Sequence, residues 1–397
     1  MRAILTARFI SLTGTNMTMV ALPWFVLATT GSTAKMGVVL ACQTLPAFAL
    51  GIPGGSVVAA LGARRSLVLG DALRAPLLAA VPILHATGDL SFPMLLVLVT
   101  AIGVFSVPYA AAASSLLPEI VGEDEHEVAR AQASLQVAIQ VTGIVGPVAA
   151  GALIPLVGAP RLLYFDAASY AVSAAIVLAF VRAGHAVASA AGRRGVLVGV
   201  RRVFADSLLA SIVTVALVAH VGLAALFASV PALAFRDFHD ARSAGVLFTA
   251  DAIGSVAGGL LAVRLARRVK PLMLGVAGFV AMSAPLWLLA IATPLPLAVG
   301  VMVAFGVGAP LGVSPITAVL TMRAPAEIRP QVVAAFLAIT SAGVPLGAAL
   351  TGWAIGQAGF RTTYAGIAAA MTLATLLLVW CVRRVSALPA AAPATAS

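Results

Sequence analysis

Charged residues are scarce in this sequence. Only 9% of its 397 residues are Asp, Glu, Lys or Arg, whereas a soluble domain carries about 25%. Hydrophobic residues make up 61% of the chain, and the mean hydropathy is +1.09. A water-facing surface cannot be built from so few charges, and a disordered chain has low hydrophobicity. The composition therefore excludes both classes and indicates a polytopic membrane protein.

Cysteines and enzyme motifs are also scarce. The two cysteines, Cys42 and Cys381, lie within or at the end of apolar segments and have no CxxC spacing, so neither a disulfide framework nor a metal site is expected. The sequence has no HExxH, GxSxG, P-loop or GxGxxG motif, which are signatures of hydrolases and nucleotide-binding proteins. We therefore expect no enzyme activity and no cofactor.

Twelve apolar runs are long enough to cross a bilayer, which requires about 20 residues of helix. None shows the alternation of polar and apolar residues that is typical of a β-barrel strand. The expected spans are 9–29, 34–60, 66–86, 92–117, 131–154, 162–182, 208–234, 242–264, 271–292, 296–322, 332–355 and 362–382. The predicted fold class is an all-α membrane protein with twelve transmembrane helices.

The basic residues are divided unequally between the two sides of this topology. If both termini are cytoplasmic, five of the 24 basic residues fall outside, Arg74 falls within span 3, and the other 18 fall on the cytoplasmic side. This excess follows the positive-inside rule and predicts a multi-pass protein of the plasma (inner) membrane with cytoplasmic termini. The net charge of +11 arises from these small clusters between spans, so no nucleic-acid partner is predicted.

The least apolar segment between spans, residues 183–203, separates six spans from six. An offset of 200 residues places Arg161 over Arg361 and Tyr164 over Tyr364. Two duplicated six-helix bundles with pseudo-symmetry are typical of transporters whose site lies between the halves at mid-membrane. The predicted organisation is an N-terminal bundle at 1–185, a cytoplasmic linker at 186–203, a C-terminal bundle at 204–385 and a disordered tail at 386–397.

Several short motifs point to a known family. They are Thr18-Met19-Val20-Ala21-Leu22-Pro23-Trp24, Asp71-Ala72-Leu73-Arg74, Leu117-Pro118-Glu119, Ala129-Arg130-Ala131 and Phe165-Asp166-Ala167. With twelve spans in two halves, the chain resembles the major facilitator superfamily, and these motifs resemble its enterobactin-exporter-like and macrolide-efflux-like branch. The similarity extends from about residue 8 to residue 384. It implies the major facilitator fold and a secondary-active exporter.

The loop between spans 2 and 3 departs from the signature of that superfamily. Ala59 and Ala60 stand where the family has Asp and the first Arg. The final basic residue and the glycines of the loop remain, as does a Gly-Pro element in span 5. The resemblance gives gating or structural roles to these retained residues, which are Gly55, Gly62, Arg64, Gly146 and Pro147.

Ionisable side chains within the spans are candidates for proton coupling, because burying such a group in hydrocarbon is costly. Asp251 lies about nine residues into span 8, near mid-membrane, and the alternative role is a hydrogen bond to the neighbouring glycine-rich helix. His220, near the middle of span 7, is a proton relay or a neutral packing residue. Asp166 in span 6 either couples protons or pairs structurally with its neighbours.

Asp71 and Arg74 lie three residues apart near the cytoplasmic end of span 3. Oppositely charged residues at this spacing are neighbours on a helix surface. We therefore expect them to neutralise each other and to brace the inner gate.

Uncharged polar side chains within the spans are candidates for the substrate site. Gln132, Gln136 and Gln140 form a stripe along span 5 that must face the protein interior or a water-filled path. Their alternative role is hydrogen bonding between helices. Further candidates are Asn16, Trp24, Gln43, Ser314 and Thr317. Gln43, Gln140, His220 and Asp251 lie at similar depth and would form one site if all four face inward.

The predicted function is proton-coupled export of a small amphipathic compound, such as a drug, an antibiotic or a siderophore-like molecule, by alternating access. The expected partners are this substrate, protons and the lipid bilayer, and the protein is expected to be a monomer. Two alternatives remain open at this point. One is a proton symporter that takes up a small metabolite, and the other is a transport-inactive membrane scaffold or sensor.

Overall fold

The computed structural model of the chain describes residues 2–121, 125–181, 193–266, 268–291, 293–324 and 328–387. Within these ranges the chain is helical apart from short turns, and no strand is present. The expected all-α fold class is confirmed.

Six helices form the first half of the molecule. They are α1 (Arg2–Thr30), α2 (Thr33–Leu61), α3 (Ala63–Thr87), α4 (Phe92–Val121), α5 (Glu125–Val157) and α6 (Ala159–Phe180). Each contains one of the first six predicted spans except at the last two residues of the sixth. Most of the helices extend past the predicted ends, as α1 does by beginning at Arg2 instead of residue 9.

The second half contains a linker helix and six further crossings. Its helices are α7 (Arg193–Ala205), α8 (Ser207–Leu233), α9 (Ala241–Leu265), α10 (Pro271–Ser283), α11 (Leu286–Ile291), α12 (Leu295–Arg323), α13 (Arg329–Ser341) and α14 (Gly343–Ala387). A π-helical turn, Ala234–Phe238, extends α8. Predicted span 9 is broken into α10 and α11 where Pro285 cannot donate a backbone hydrogen bond.

Eleven helical stretches among the described residues are long and apolar enough to cross a membrane. The last, Gln331–Arg383, has 53 residues and would be about 80 Å long if straight, far more than the ~30 Å hydrocarbon core. It reverses at Gly359, whose φ of 77° is a conformation that favours glycine. The stretch therefore makes two crossings, giving twelve. An even number places both chain ends on one side, here called the terminal side, and the opposite side is called the distal side.

The apolar core is shared at the distal side and divided at the terminal side. One cluster contains buried residues of both halves, such as Phe25 of α1 and Phe305 of α12. Toward the terminal side, separate clusters form around Leu67 in the first half and around Leu209 in the second. Because the buried clusters that include both halves lie toward the distal side, we infer that the space between the halves opens toward the terminal side.

Two glycine contacts join the halves at the distal side. A Cβ on Gly37 of α2 would lie 2.8 Å from the Cα of Gly352 in α14. A Cβ on Gly151 of α5 would lie 3.2 Å from the Cα of Gly245 in α9. Neither position has room for a side chain, because the backbone of the partner helix lies against it. Small residues permit such a close approach of two helices. These contacts close the distal end of the space between the halves.

The linker between the halves contains the helix α7, which the sequence did not predict. Val203 of α7 is fully buried with residues of α8 and α13, and Gly199 lies directly against the backbone of Gln331 in α13. The second part of the predicted linker at 186–203 is therefore packed helix. The predicted tail at 386–397 lies outside the described residues, except for the last two residues of α14.

Candidate functional site

Two glutamines of α5, Gln136 and Gln140, lie on the face that turns toward the second half. Gly151 on this face contacts α9, and Gln140 precedes it by eleven residues, which is within about 20° of three full turns. Gln136 lies about 60° from the same direction. Both side chains are exposed, since the halves diverge there. Gln136 and Gln140 therefore border the opening, whereas the side chain of Gln132 is outside the described part of the structure.

Asp251 lies in α9 with its side chain half-buried. Its backbone carbonyl oxygen packs directly against Gly306 of α12. No hydrogen bond or ion pair to its carboxylate is present among the described residues, so the alternative structural role predicted for this side chain is not observed. The carboxylate is set among apolar helices without a partner, which is the setting in which an ionisable group is most costly and most often functional.

His220 lies in α8 with its side chain also half-buried. Its Nδ1 is 2.8 Å from the carbonyl oxygen of Ala216. Since a carbonyl only accepts, Nδ1 carries a hydrogen and Nε2 remains the nitrogen that can exchange a proton.

His220 and Asp251 lie at neighbouring depths on antiparallel helices. The rings of Phe227 in α8 and Phe248 in α9 are 5.8 Å apart and fix a common level. His220 lies seven residues from this level toward the terminal side, and Asp251 lies three residues from it in the same direction. The difference of four residues corresponds to about 6 Å.

Gln43 lies on the inner side of α2. It follows Met36 and Leu40 by seven and three residues, and both pack into the shared core. Val38 and Leu45, on the other side of the helix, are exposed. Gln43 is half-buried. Within the described residues, no hydrogen bond joins any two of the four residues that were predicted to form one site.

Asp166 is fully buried within the first half, between α6 and α1. Its carboxylate accepts hydrogen bonds from Thr18 Oγ1 at 2.5 Å and from Ser169 Oγ at 3.1 Å. Gly14 of α1 lies against the same carboxylate, and a Cβ there would be 2.9 Å from the Cβ of Ser169. Asp166 is thus separated from the space between the halves by α1.

Arg74 forms the expected ion pair with Asp71 in α3, and both side chains are buried. The guanidinium Cζ also lies 4.1 Å from the ring centre of Tyr109 and 4.3 Å from that of Tyr170. Stacking of a guanidinium on aromatic rings is favourable. The ion pair follows from the sequence spacing, but the two tyrosines come from α4 and α6 and no local pattern indicated them.

Three predicted substrate residues make contacts that hold helices or turns in place. The Nδ2 of Asn16 donates to Thr142 Oγ1 at 3.3 Å and joins α1 to α5. The ring of Trp24 packs edge-on against Phe235 of the second half, with centres 5.0 Å apart, and belongs to the closed distal end. Thr317 Oγ1 donates to its own helix.

Ser314 precedes Thr317 by three residues in α12, and its side chain is exposed.

The predicted gating residues lie in two places. Gly62, with a φ of 82°, forms the turn between α2 and α3, and Gly55 lies in α2. Arg64, the second residue of α3, donates a hydrogen bond from its guanidinium to the carbonyl oxygen of Leu178 at 2.6 Å. This contact connects the turn to α6 of the same half.

The Gly-Pro element of α5 faces two helices at once. A Cβ on Gly146 would lie 3.0 Å from the carbonyl carbon of Asn16 in α1. The carbonyl oxygen of Pro147 faces Gly245 of α9, where a Cβ would be 2.9 Å from it. The element therefore sits where α5 packs within its own half and against the other half.

Comparisons with known proteins agree with this architecture. The sequence profile of the Major Facilitator Superfamily matches residues 4–235 and 212–396. The chain is 28% identical to the multidrug efflux pump Tap of Mycolicibacterium fortuitum, over 95% of this chain and 94% of that protein. It is 26% identical to the pump of the same name from Mycobacterium tuberculosis, over 92% and 89% of the two chains. The nucleoside transporter NupG has a similar structure, with a TM-score of 0.77 and 13% identity over 96% and 98% of the two chains.

Proposed function

Because the chain belongs to the Major Facilitator Superfamily, we propose that it exports small amphipathic compounds from the cytoplasm by alternating access. The similarity to multidrug efflux pumps along nearly the whole chain supports this direction and substrate class. The branch of the superfamily inferred from the short motifs remains a prediction.

The observation that carries the proposal is the space that opens toward the terminal side. Gln136 and Gln140 are exposed on the face of α5 that turns toward the second half, and 61% of the residues of the chain are hydrophobic. A mostly apolar site with a few polar groups suits an amphipathic ligand. The charge distribution along the chain supports a cytoplasmic terminal side in the inner membrane, so the open side would receive compounds from within the cell.

Proton coupling is proposed to depend on Asp251. Its carboxylate has no partner among the described residues, so its protonation breaks no ion pair and removes a charge that is costly in an apolar setting. A proton arriving from outside would neutralise the carboxylate, and its release inside would restore the charge. His220, at a neighbouring depth and with Nε2 available, is the proposed relay. Asp166 is the second candidate, although it lies behind α1.

Transport into inverted membrane vesicles tests this function. We expect vesicles containing the protein to accumulate fluorescent amphipathic dyes when a proton gradient, acidic inside, is imposed. Asp251→Asn should abolish gradient-driven accumulation, since an asparagine side chain cannot bind and release a proton at this position. Asp89→Asn, which removes a carboxylate from an exposed turn, is the matched control and should leave transport unchanged.

Three results would contradict the proposal. Accumulation that does not respond to the gradient, or gradient-driven loss of dye from the vesicles, would exclude proton-coupled export. Unchanged coupling in Asp251→Asn would show that another group carries the proton, and Asp166→Asn and His220→Gln would then be compared in the same assay.

A further inference from the structure

A cleft of about 470 Å³ lies between α5, α9 and α12 near the distal side. Val148, Val246 and Ile253 line it and are 43%, 46% and 57% exposed. Val246 and Ile253 lie on the side of α9 that is opposite Phe248, which is buried against α8. The cleft therefore faces the bilayer and is separate from the space between the halves.

The cleft has one charged group, at its distal rim. Arg242, in the first turn of α9, is exposed and lines the cleft. Its guanidinium has no ion pair or hydrogen bond among the described residues. The other polar lining group, Thr249, donates its hydroxyl hydrogen to the carbonyl oxygen of Gly245 at 2.7 Å. The neighbouring carboxylate of Asp240 accepts a hydrogen bond from the backbone N–H of Arg242 at 3.0 Å and not from its guanidinium. The cleft thus combines a guanidinium at its rim, unpaired within the described part of the chain, with an apolar channel.

The length of the cleft matches one leaflet of a bilayer. Arg242 and Ile253 are eleven residues apart along α9, or about 16 Å. Half of the hydrocarbon core is about 15 Å thick. With Arg242 at the level of the head groups, the apolar part reaches down to about mid-membrane, as a single acyl chain does.

We propose that this cleft binds an anionic phospholipid of the distal leaflet, with its phosphate held by Arg242 and one acyl chain lying between α5, α9 and α12. A guanidinium matches the geometry of a phosphate and forms two parallel hydrogen bonds with it. The net negative charge of the head group compensates a cation that the described part of the protein leaves unpaired. A zwitterionic lipid would bring its own cation and neutralise itself.

The bound lipid contacts both halves of the molecule, because α5 belongs to the first half and α9 and α12 to the second. These contacts exist together only while α5 and α9 touch at their distal ends. A ligand shifts an equilibrium by its difference in affinity for the two states. The lipid therefore favours the conformation that is closed at the distal side, an effect that rests on the proposed alternating access.

Photo-crosslinking tests the site without any assay of transport. The full-length protein is reconstituted with a small fraction of phosphatidylglycerol that carries a diazirine on one acyl chain, and the labelled peptides are identified by mass spectrometry. We expect labelling around Val148 and Thr249. Arg242→Ala should reduce it on the order of tenfold, as expected for the loss of charge-assisted hydrogen bonds. Arg161→Ala, which removes another exposed cation of the distal side, should not.

Three results would overturn the site. They are equal labelling in Arg242→Ala, equal labelling by the corresponding phosphatidylcholine, and labelling confined to other helices. Ile253→Trp provides a second variant, because the larger ring fills the inner part of the cleft and should exclude the chain while leaving Arg242 in place.

The conformational effect has its own readout. The distance between spin labels at exposed positions 156 and 236, one in each half, is measured in nanodiscs with and without phosphatidylglycerol. The lipid should increase the short-distance population in the unmodified background and not in Arg242→Ala. An unchanged distribution would overturn the effect on the equilibrium, whereas failure of dye export alone would contradict only the proposed function.

Discussion

Gly151 and Gly245 hold the two halves together at the distal side, where a Cβ on Gly151 would lie 3.2 Å from the Cα of Gly245 and 3.0 Å from the carbonyl oxygen of Ala241. The backbones of α5 and α9 are thus in contact with no side chain between them. The contact between Gly37 and Gly352 has the same character. Both contacts must separate if the molecule is to open toward the distal side.

A side chain at this contact should shift the conformational equilibrium. A Cβ on Gly245 would be 2.9 Å from the carbonyl oxygen of Pro147, so Gly245→Ala forces the helices apart, at a cost of about 1–3 kcal/mol. We expect the distance between spin labels at positions 156 and 236 to increase. Gly259→Ala in the same helix, where a Cβ meets nothing within 4 Å, is the control. Identical distance distributions for both variants would contradict the closing role of this contact.

The packing around Asp166 should make Gly14 intolerant of substitution. A Cβ on Gly14 would collide with the Asp166 carboxylate and with Ser169, so Gly14→Ala should lower the free energy of unfolding by about 1–3 kcal/mol. Gly143→Ala in α5 has open space around the added methyl group and should be neutral or slightly stabilising. Thermal unfolding in detergent measures the difference, and equal midpoints for both variants would exclude the tight packing of α1 on α6.

Removal of the Arg74 guanidinium should destabilise the first half strongly. Arg74→Ala leaves the buried Asp71 carboxylate without its counter-ion, and breaking a buried pair in this way costs about 3–5 kcal/mol. The double variant Asp71→Asn with Arg74→Met removes both charges and should recover much of the loss. Chemical unfolding of the purified variants checks this. If the double variant is no more stable than Arg74→Ala, the stacking on Tyr109 and Tyr170, and not the ion pair, is the main contribution.

The carboxylate of Asp206, on the terminal side, should make the free energy of unfolding depend on pH. Partial burial raises the pKa of this carboxyl, but hydrogen bonds from the backbone N–H groups of Leu209 and Leu208, together with the charge and hydrogen bond of Arg323, outweigh it and leave the pKa below 3.8. Since the folded-state pKa is lowered, the stabilisation is fully present above about pH 3.8 and is lost as the pH falls through the folded-state value.

Asp206→Asn should therefore weaken the acid-induced drop in the unfolding temperature, since asparagine still caps α8 but does not titrate. Arg323→Gln, which keeps the cap and removes the ion pair at 3.1 Å, should have a smaller effect in the same direction. If both variants have the same unfolding temperature as the wild type at every pH, the Asp206 carboxylate does not contribute to stability.

The sequence determined the crossings because the bilayer imposes a length on every apolar run. Span 3, predicted at 66–86, is the helix Ala63–Thr87, and the ion pair of Asp71 with Arg74 followed from a spacing of three residues. These features depend on neighbours within one helix. The sequence did not predict the helix α7, because the segment around it has a low apolar content, which is typical of a linker. Val203 of α7 is buried only through its packing against the second half, which the sequence does not show.

Only the tertiary structure decided which polar side chains border the space between the halves. Sequence periodicity gives the face on which a residue lies but not the helix that this face meets. Asp166 and Asp251 looked alike as carboxylates within spans, yet Asp166 receives hydrogen bonds from α1 and α6 while Asp251 has no partner among the described residues. Trp24 proved to be part of the distal closure through Phe235. Such contacts join residues far apart in the chain, and the packing of whole helices, not the local pattern, brings them together.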